Sequence, residues 1–262
     1  MPRIPDIFLK SIVFLYPSIE SARAGTSAGG SGFLVDAAGI RVLITNIHVA
    51  MGGCRTIRVP LHSGGFATLE LPEPLGYPIR RRRGGNGHRR ESRMGSSSLP
   101  MVPITATRDR VTELNAGVGD EIVMFCRFVT VCGQQINAPL ARFGNIAMMP
   151  GELITDNRGL RVEAFLIEMR SMSGFSGSPV FVFMGPGTYR GDKKMMPFYT
   201  ETIGLVGIDT GHIAITNSVI SEIDKQPVDH WRVAQNSGVA IVTPVWKIAD
   251  VLEELTGETL PR

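Results

Sequence analysis

A chain of 262 residues, 43% of them hydrophobic and with a formal net charge of +3, has material for one large β domain or two small ones. Its apolar residues fall in short runs broken by 30 glycines and 17 prolines, which suits many strands more than long helices. No run approaches the roughly 18 consecutive apolar residues of a membrane span, so no membrane partner is expected, and three cysteines exclude a fully paired internal disulfide framework.

The N-terminal stretch MPRIPDIFLKSIVFLYPS is apolar in character but is broken by Pro5, Asp6 and Lys10 and lacks a small-residue cleavage site, which makes it a poor signal peptide. SIVFLY at 11–16 is the predicted first strand. GGSGFLV at 29–35 is a glycine-rich lead into a second apolar strand, and VLITNIHVA at 42–50 follows. There a β-branched, apolar run brings His48 to the predicted end of a strand. A lone histidine is more often a packing or surface residue than a base, so its weight depends on what else the chain carries.

Cys54, Cys126 and Cys132 read as reduced thiols, and with the poor signal peptide they point to a cytoplasmic protein. Cys126 and Cys132 lie in or near the strand-like run IVMFCRFVTVC and fit small buried hydrophobes. No second cysteine or histidine pair accompanies them, so no metal site is expected.

Between these lies RRRRGGNGHRRESRMGSSS at 80–98, with seven arginines and one acid, Glu91; without those charges the formal total falls from +3 to −3. Basicity is therefore a property of this segment and not of the domain. Clustered arginine neutralises phosphates, but no aromatic residue interleaves the run at 80–93 for base stacking, so a nucleic-acid partner is not favoured. A solvated insertion without a partner is a second account. Out-of-frame translation of GC-rich coding sequence, which is rich in arginine, glycine and serine, is a third; a gene sequence with no base gained and later lost across the segment dismisses it.

GFSGSPV at 174–180 places Ser176 between close-set glycines ahead of the apolar run VFVF at 180–183. A serine hydroxyl becomes nucleophilic beside a base, with backbone N–H groups converging where the substrate's carbonyl oxygen turns negative. Gly174 and Gly177, lacking Cβ atoms, let the chain turn and let substrate approach the N–H groups of Gly174 and Ser176. A plain glycine–serine turn is the competing reading of these residues alone. The chain closes on its one convincing predicted helix, with Thr243 as N-cap, Pro244 at the first position, Ile248, Val251, Leu252 and Leu255 forming an apolar stripe, and Gly257 as the stop.

Together, GSGFLV at 30–35, TNIHV at 45–49, VGDEIVMF at 118–125, GFSGSPVFV at 174–182, GLVGIDTG at 204–211 and GVAIVTPVWKIADVL at 238–252 resemble the trypsin-like (chymotrypsin-fold) serine peptidases, in that family's order. The bacterial members without disulfides are the most similar. The resemblance implies an all-β chain of two packed antiparallel β-barrels with a C-terminal helix: 1–112 carrying His48, and 113–262 carrying Ser176 and the helix. It implies a serine endopeptidase with His48 as general base, Ser176 as nucleophile and the N–H groups of Gly174 and Ser176 as oxyanion hole. Its substrate is a protein or peptide, and it needs no metal or organic cofactor.

The chain departs from the family at the orienting aspartate. In the aligned stretch SLPMVPI at 98–104, Ser98 stands where that acid is expected, and Asp109, Asp120 and Glu91 are poor substitutes. In the trypsin-like template, changing this aspartate to asparagine lowers turnover about 10⁴-fold, roughly 5.5 kcal/mol of transition-state stabilisation. An impaired or inactive scaffold that binds peptides or proteins is therefore the alternative function, and a serine–histidine esterase is a third. The resemblance also places the pocket for the residue before the scissile bond between RSMSG at 170–174 and GIDTG at 207–211. Asp209 there would favour a basic side chain, whereas Arg170 would reverse that preference or neutralise Asp209; both facing solvent or one another is the neutral alternative.

Overall fold

The computed structural model describes Ile4 and residues 6–37, 40–61, 64–71, 108–128, 133, 136–184 and 203–257. The Arg-rich segment 80–98, the stretch 98–104 in which the orienting acid is expected, and Cys132 lie outside the described residues. No helix among the described residues is long and apolar enough to cross a membrane.

The first half contains α1 (Asp6–Lys10), β1 (Ile12–Tyr16), α2 (Ile19–Ala24), β2 (Gly30–Ala37), β3 (Ile40–Ile44), α3 (Ile47–Met51), β4 (Thr56–Pro60) and β5 (Phe66–Glu70). Its strands form an antiparallel sheet in the order β3-β2-β1-β4-β5. The second half contains α4 (Arg108–Glu113), β6 (Glu121–Cys126), β7 (Leu140–Met148), the short pair β8 (Ile154–Thr155) and β9 (Arg161–Val162), β10 (Phe165–Glu168), β11 (Pro179–Phe183), β12 (Ile203–Ile220), β13 (Pro227–Pro244) and α5 (Val245–Thr256). Here β10-β13-β12-β11-β6-β7 closes into an antiparallel barrel. The fold class is all-β with two curled sheets and a C-terminal helix; among the described residues, the first sheet has β3 and β5 at its edges.

Strand alternation explains why these segments read as continuous apolar runs. Successive side chains on a strand point to opposite faces, so a strand buried on both faces needs apolar residues at every position. In β1, Val13 and Leu15 face a core inside the first sheet with Leu34, Val49, Cys54, Ile57 and Val59. Ile12, Phe14 and Tyr16 face the other way, into a core shared with Val123 and Phe125 of β6, Phe181 of β11 and Leu205 and Ile208 of β12. On the opposite faces of β6 and β11, Ile122, Met124, Cys126, Val180 and Val182 fill the barrel interior. Each such side chain contributes roughly 1.5–3 kcal/mol on burial, so the shared core is a principal bond between the two halves.

Helix α5 lays Val245, Ile248, Ala249 and Leu252 on that same shared core, and Gly257 stops it in the left-handed region at φ 72°. Its start differs from expectation. Thr243 is still paired with Ile208 in the sheet, which holds its backbone extended, so Pro244 becomes the N-cap and the helix begins at Val245. The thiols of Cys54 and Cys126 are free and buried; burial raises both above the ordinary range, Cys126 to about 12, as suits packing residues.

Arg58 of β4, fully buried, joins the first sheet to the segment leading into β7. Its Nε donates to Asn137 Oδ1 at 2.7 Å and its guanidinium reaches the carbonyls of Gly133 and Ala22, while Asn137 Nδ2 donates back to the carbonyls of Arg58 and Ile12. Asn137→Ala would strand these buried groups and is expected to cost about 2–4 kcal/mol, measured as a lower midpoint in urea unfolding with an unchanged slope.

Candidate active site

The serine loop is a sequence of tight turns. The Phe175 N–H donates to Met172 O at 3.0 Å, the Ser178 N–H to Phe175 O at 2.9 Å, and the Gly177 N–H to Asp209 O at 3.0 Å. The N–H groups of Gly174 and Ser176 donate no hydrogen bond among the described residues. Both glycines lie at φ 90°, where an L side chain is strained, and a Cβ on Gly177 would stand 2.0 Å from Ser31 O. The predicted need for glycine at Gly177 is therefore both conformational and steric.

Strand β2 holds this loop from below. Ser31 N donates to Ser176 O at 3.0 Å, and the buried Ser31 hydroxyl donates to Gly174 O at 2.9 Å while accepting from Arg127 N at 3.1 Å. The hydroxyl of Thr45 in turn donates to Ser31 O at 2.7 Å, and Asn46 Nδ2 donates to Asp209 O at 2.8 Å. Sequence reasoning passed over Ser31, Thr45 and Asn46, whose side chains tie the histidine and serine segments to one another. Their position inside the GSGF and T-x-x-H motifs was the available signal.

His48 does not sit at the end of a strand. β3 stops at Ile44, and His48 occupies the second position of α3, a single turn of helix that follows the extended Asn46. Val49 packs inward beside it, and a Cβ on Gly30 would lie 2.7 Å from the Val49 methyls and 3.3 Å from Ser176 O. The histidine helix and the serine loop thus flank the same glycine of β2. No hydrogen bond from the His48 ring or the Ser176 hydroxyl occurs among the described residues, so the two remain adjacent segments and not a bonded pair. His48 is exposed, yet lost hydration on its packed side, and secondarily the charge of Arg158, push its pKa below the ordinary histidine range. The imidazole is therefore neutral at pH 7 and able to accept a proton.

Among the sequence-derived pocket residues, Arg170 and Asp209 part company. Arg170 lines an open depression of about 600 Å³ with Ser171, Met172, Ser173, His212, Gln235 and Asn236. Asp209 is fully buried behind it, its Oδ2 accepting from the Ser171 hydroxyl at 3.0 Å. No ion pair joins Arg170 to Asp209 among the described residues. Burial outweighs the Ser171 hydrogen bond and pushes the Asp209 carboxyl up to about 7, so it is substantially protonated at neutral pH. Asp120 keeps a turn role, its Oδ2 accepting from Gly117 N at 2.7 Å ahead of β6. No cluster of metal-ligating side chains occurs among the described residues.

No protein-family model matches the chain, and no curated protein does. Among solved structures it is similar to one described as "HtrA-type protease AlgW with decapeptide", at 16% identity and a TM-score of 0.44, over 89% of this chain and 53% of that one. The chain thus spans about half the length of that protein. It is also similar to a structure described as "Aromatic interactions drive the coupled folding and binding of the intrinsically disordered Sesbania mosaic virus VPg protein", at 13% identity and a TM-score of 0.35, over 89% of this chain and 85% of that one. Both are distant likenesses, and the chemistry of the site rests on its own geometry.

Two consequences follow for stability. Ser31→Ala leaves Gly174 O and Arg127 N without their partner in a buried place and is expected to cost about 1–3 kcal/mol in urea unfolding. For Asp209, the folded state holds a proton with a pKa of about 7 against 3.8 when unfolded. The native state then binds more protons between those values, so stability falls as pH rises through that window and levels off above it. Wild type should lose on the order of 2–3 kcal/mol between pH 5 and 8 relative to Asp209→Asn, read from paired denaturation curves at the two pH values.

Proposed function

We propose that this chain is a serine endopeptidase in which Ser176 attacks a peptide carbonyl and His48 takes its proton. The single observation that carries the reading is the serine loop. Ser176 lies two residues after one glycine at φ 90° and immediately before another, and the N–H groups of Gly174 and Ser176 are uncommitted among the described residues. Two free donors beside a serine suit a developing oxyanion better than a packed turn, in which buried N–H groups find partners.

The chemistry runs in two acyl transfers. As Ser176 Oγ bonds to the carbonyl carbon, His48 receives the hydroxyl proton and the carbonyl oxygen takes its negative charge against the two N–H groups. Collapse breaks the C–N bond, and the proton on His48 passes to the departing amine. Water then attacks the ester with His48 again as base and releases the acid. The depressed pKa of His48 keeps it in the accepting form at neutral pH.

A second reading, a peptide-binding scaffold with little or no turnover, is favoured by one observation: Ser98 occupies the position where the orienting aspartate is expected. Labelling of the purified protein with a fluorophosphonate, read by intact mass, separates the two. The peptidase reading expects one adduct per chain, lost in Ser176→Ala and slowed at least about 100-fold in His48→Ala. Its rate should rise with pH through a midpoint below the ordinary histidine value of about 6.5 and then plateau. A folded protein that takes no label, yet binds peptides, establishes the scaffold.

A further inference from the structure

We propose that the depression beside the serine loop receives an acidic side chain, with Arg170 as its charge partner; this rests on the reading of Ser176 as the attacking residue for its place in catalysis. The depression's wall at Arg170, Ser171, Met172 and Ser173 runs directly into Gly174, whose N–H is half of the proposed oxyanion site. A peptide residue whose carbonyl sits on that N–H therefore has its own side chain beside this wall.

The lining decides what that side chain can be. Arg170 is exposed, and its guanidinium has no ion pair or hydrogen bond among the described residues. Ser173 and the His212 ring are likewise uncommitted among the described residues, and Gln235 has its Oε1 occupied by Asn217 Nδ2 at 3.2 Å, which leaves its amide N–H groups to donate. Asn236 is spent on the fold, with Nδ2 donating to Ser171 O and Oδ1 accepting from Gly238 N at 2.8 Å. Among the described residues, no carboxylate belongs to the lining. Asp209, whose carboxylate is bonded to the lining residue Ser171, is itself fully buried.

A depression whose described residues present one free cation and several free donors, and no anion, complements a carboxylate. A lysine or arginine would meet like charge at Arg170, and an aliphatic side chain would leave the donors unpaired. The expectation from sequence that Asp209 favours a basic side chain thus gives way to the one that assigns the preference to Arg170.

The test uses three peptidyl diphenyl phosphonates that differ only in a glutamate-like, leucine-like or lysine-like side chain next to phosphorus. Ser176 Oγ forms a bond to phosphorus, and phenoxide leaves and picks up a proton, so the rate reports side-chain acceptance. The expected result is a glutamate-like analogue faster than the lysine-like one by about five- to tenfold. Within Arg170→Glu that ratio should invert, and within Arg170→Gln it should fall towards one; ratios taken inside each protein are indifferent to changes in stability or intrinsic reactivity. Equal rates, or a faster lysine-like analogue in wild type, overturn the inference while leaving Ser176 as nucleophile. If no phosphonate and no fluorophosphonate reacts, the nucleophile reading fails. The depression is then judged by calorimetric titration of folded protein with peptides ending in glutamate or lysine: tighter binding of the glutamate peptide, lost in Arg170→Glu, supports the inference, and no difference overturns it.

Discussion

The candidate site depends on one side chain that carries no chemistry of its own, the hydroxyl of Ser31. It is buried in β2, donates to Gly174 O, and accepts from Arg127 N at the end of β6, while its own backbone N–H holds Ser176 O. A strand of the first sheet is thereby bonded to a strand and a loop of the barrel at one residue. With Gly174 O held by Ser31, the peptide plane that carries the Gly174 carbonyl is oriented by a group belonging to the other half of the molecule. Buried polar groups of this sort are costly if unpaired and rigid if satisfied, which is the property a preorganised anion site needs.

The close approach sets the composition around it. Gly30 has room for no Cβ against Val49, and Gly177 has none against Ser31 O. Each glycine lets one segment touch the next: Gly30 the histidine helix, Gly177 the strand below. Asn46 adds a further tie by donating to Asp209 O, the same carbonyl that receives the Gly177 N–H. The histidine segment, β2, the serine loop and β12 therefore form a continuous hydrogen-bonded assembly. The shared apolar core of Phe14, Phe33, Phe125, Phe181 and α5 carries the load of holding the halves together, and leaves these polar contacts to set register.

Much of this was legible in the residues, for physical reasons that can be named. The two-sided burial of β1, β6 and β11 leaves unbroken apolar runs, and Gly174 and Gly177 show in the chain because their backbone conformations exclude other residues. The helical turn that carries His48 was not legible. Five residues are too few for a 3.6-residue period to show, and the β-branched run ahead of it suggested that the strand continued. Nor did spacing reveal that Thr243 belongs to β13, since its pairing with Ile208 is a contact across 35 positions of chain. Ser31 looked like one more small residue among glycines; its role comes from contacts with Gly174 and Arg127, which only folding brings near.

The fate of Asp209 and Arg170 shows how burial alters the meaning of a charge. As letters, the two cancel. In the structure the acid lies behind Ser171 with Oδ1 lacking a hydrogen-bond partner among the described residues, and burial raises its pKa to about 7. The arginine stays in solvent with its full charge. A carboxyl that is partly protonated only weakly offsets a cation it does not touch, so among the described residues the charge that lines the depression is that of Arg170. The same burial that keeps the Asp209 side chain out of the depression makes it a pH-dependent load on the fold, because its backbone is needed where it is. Its N–H and carbonyl are both bonded into the serine loop, at Ser178 O and Gly177 N, and Asn46 claims the carbonyl a second time. The position is held by its main chain, and the side chain is carried with it.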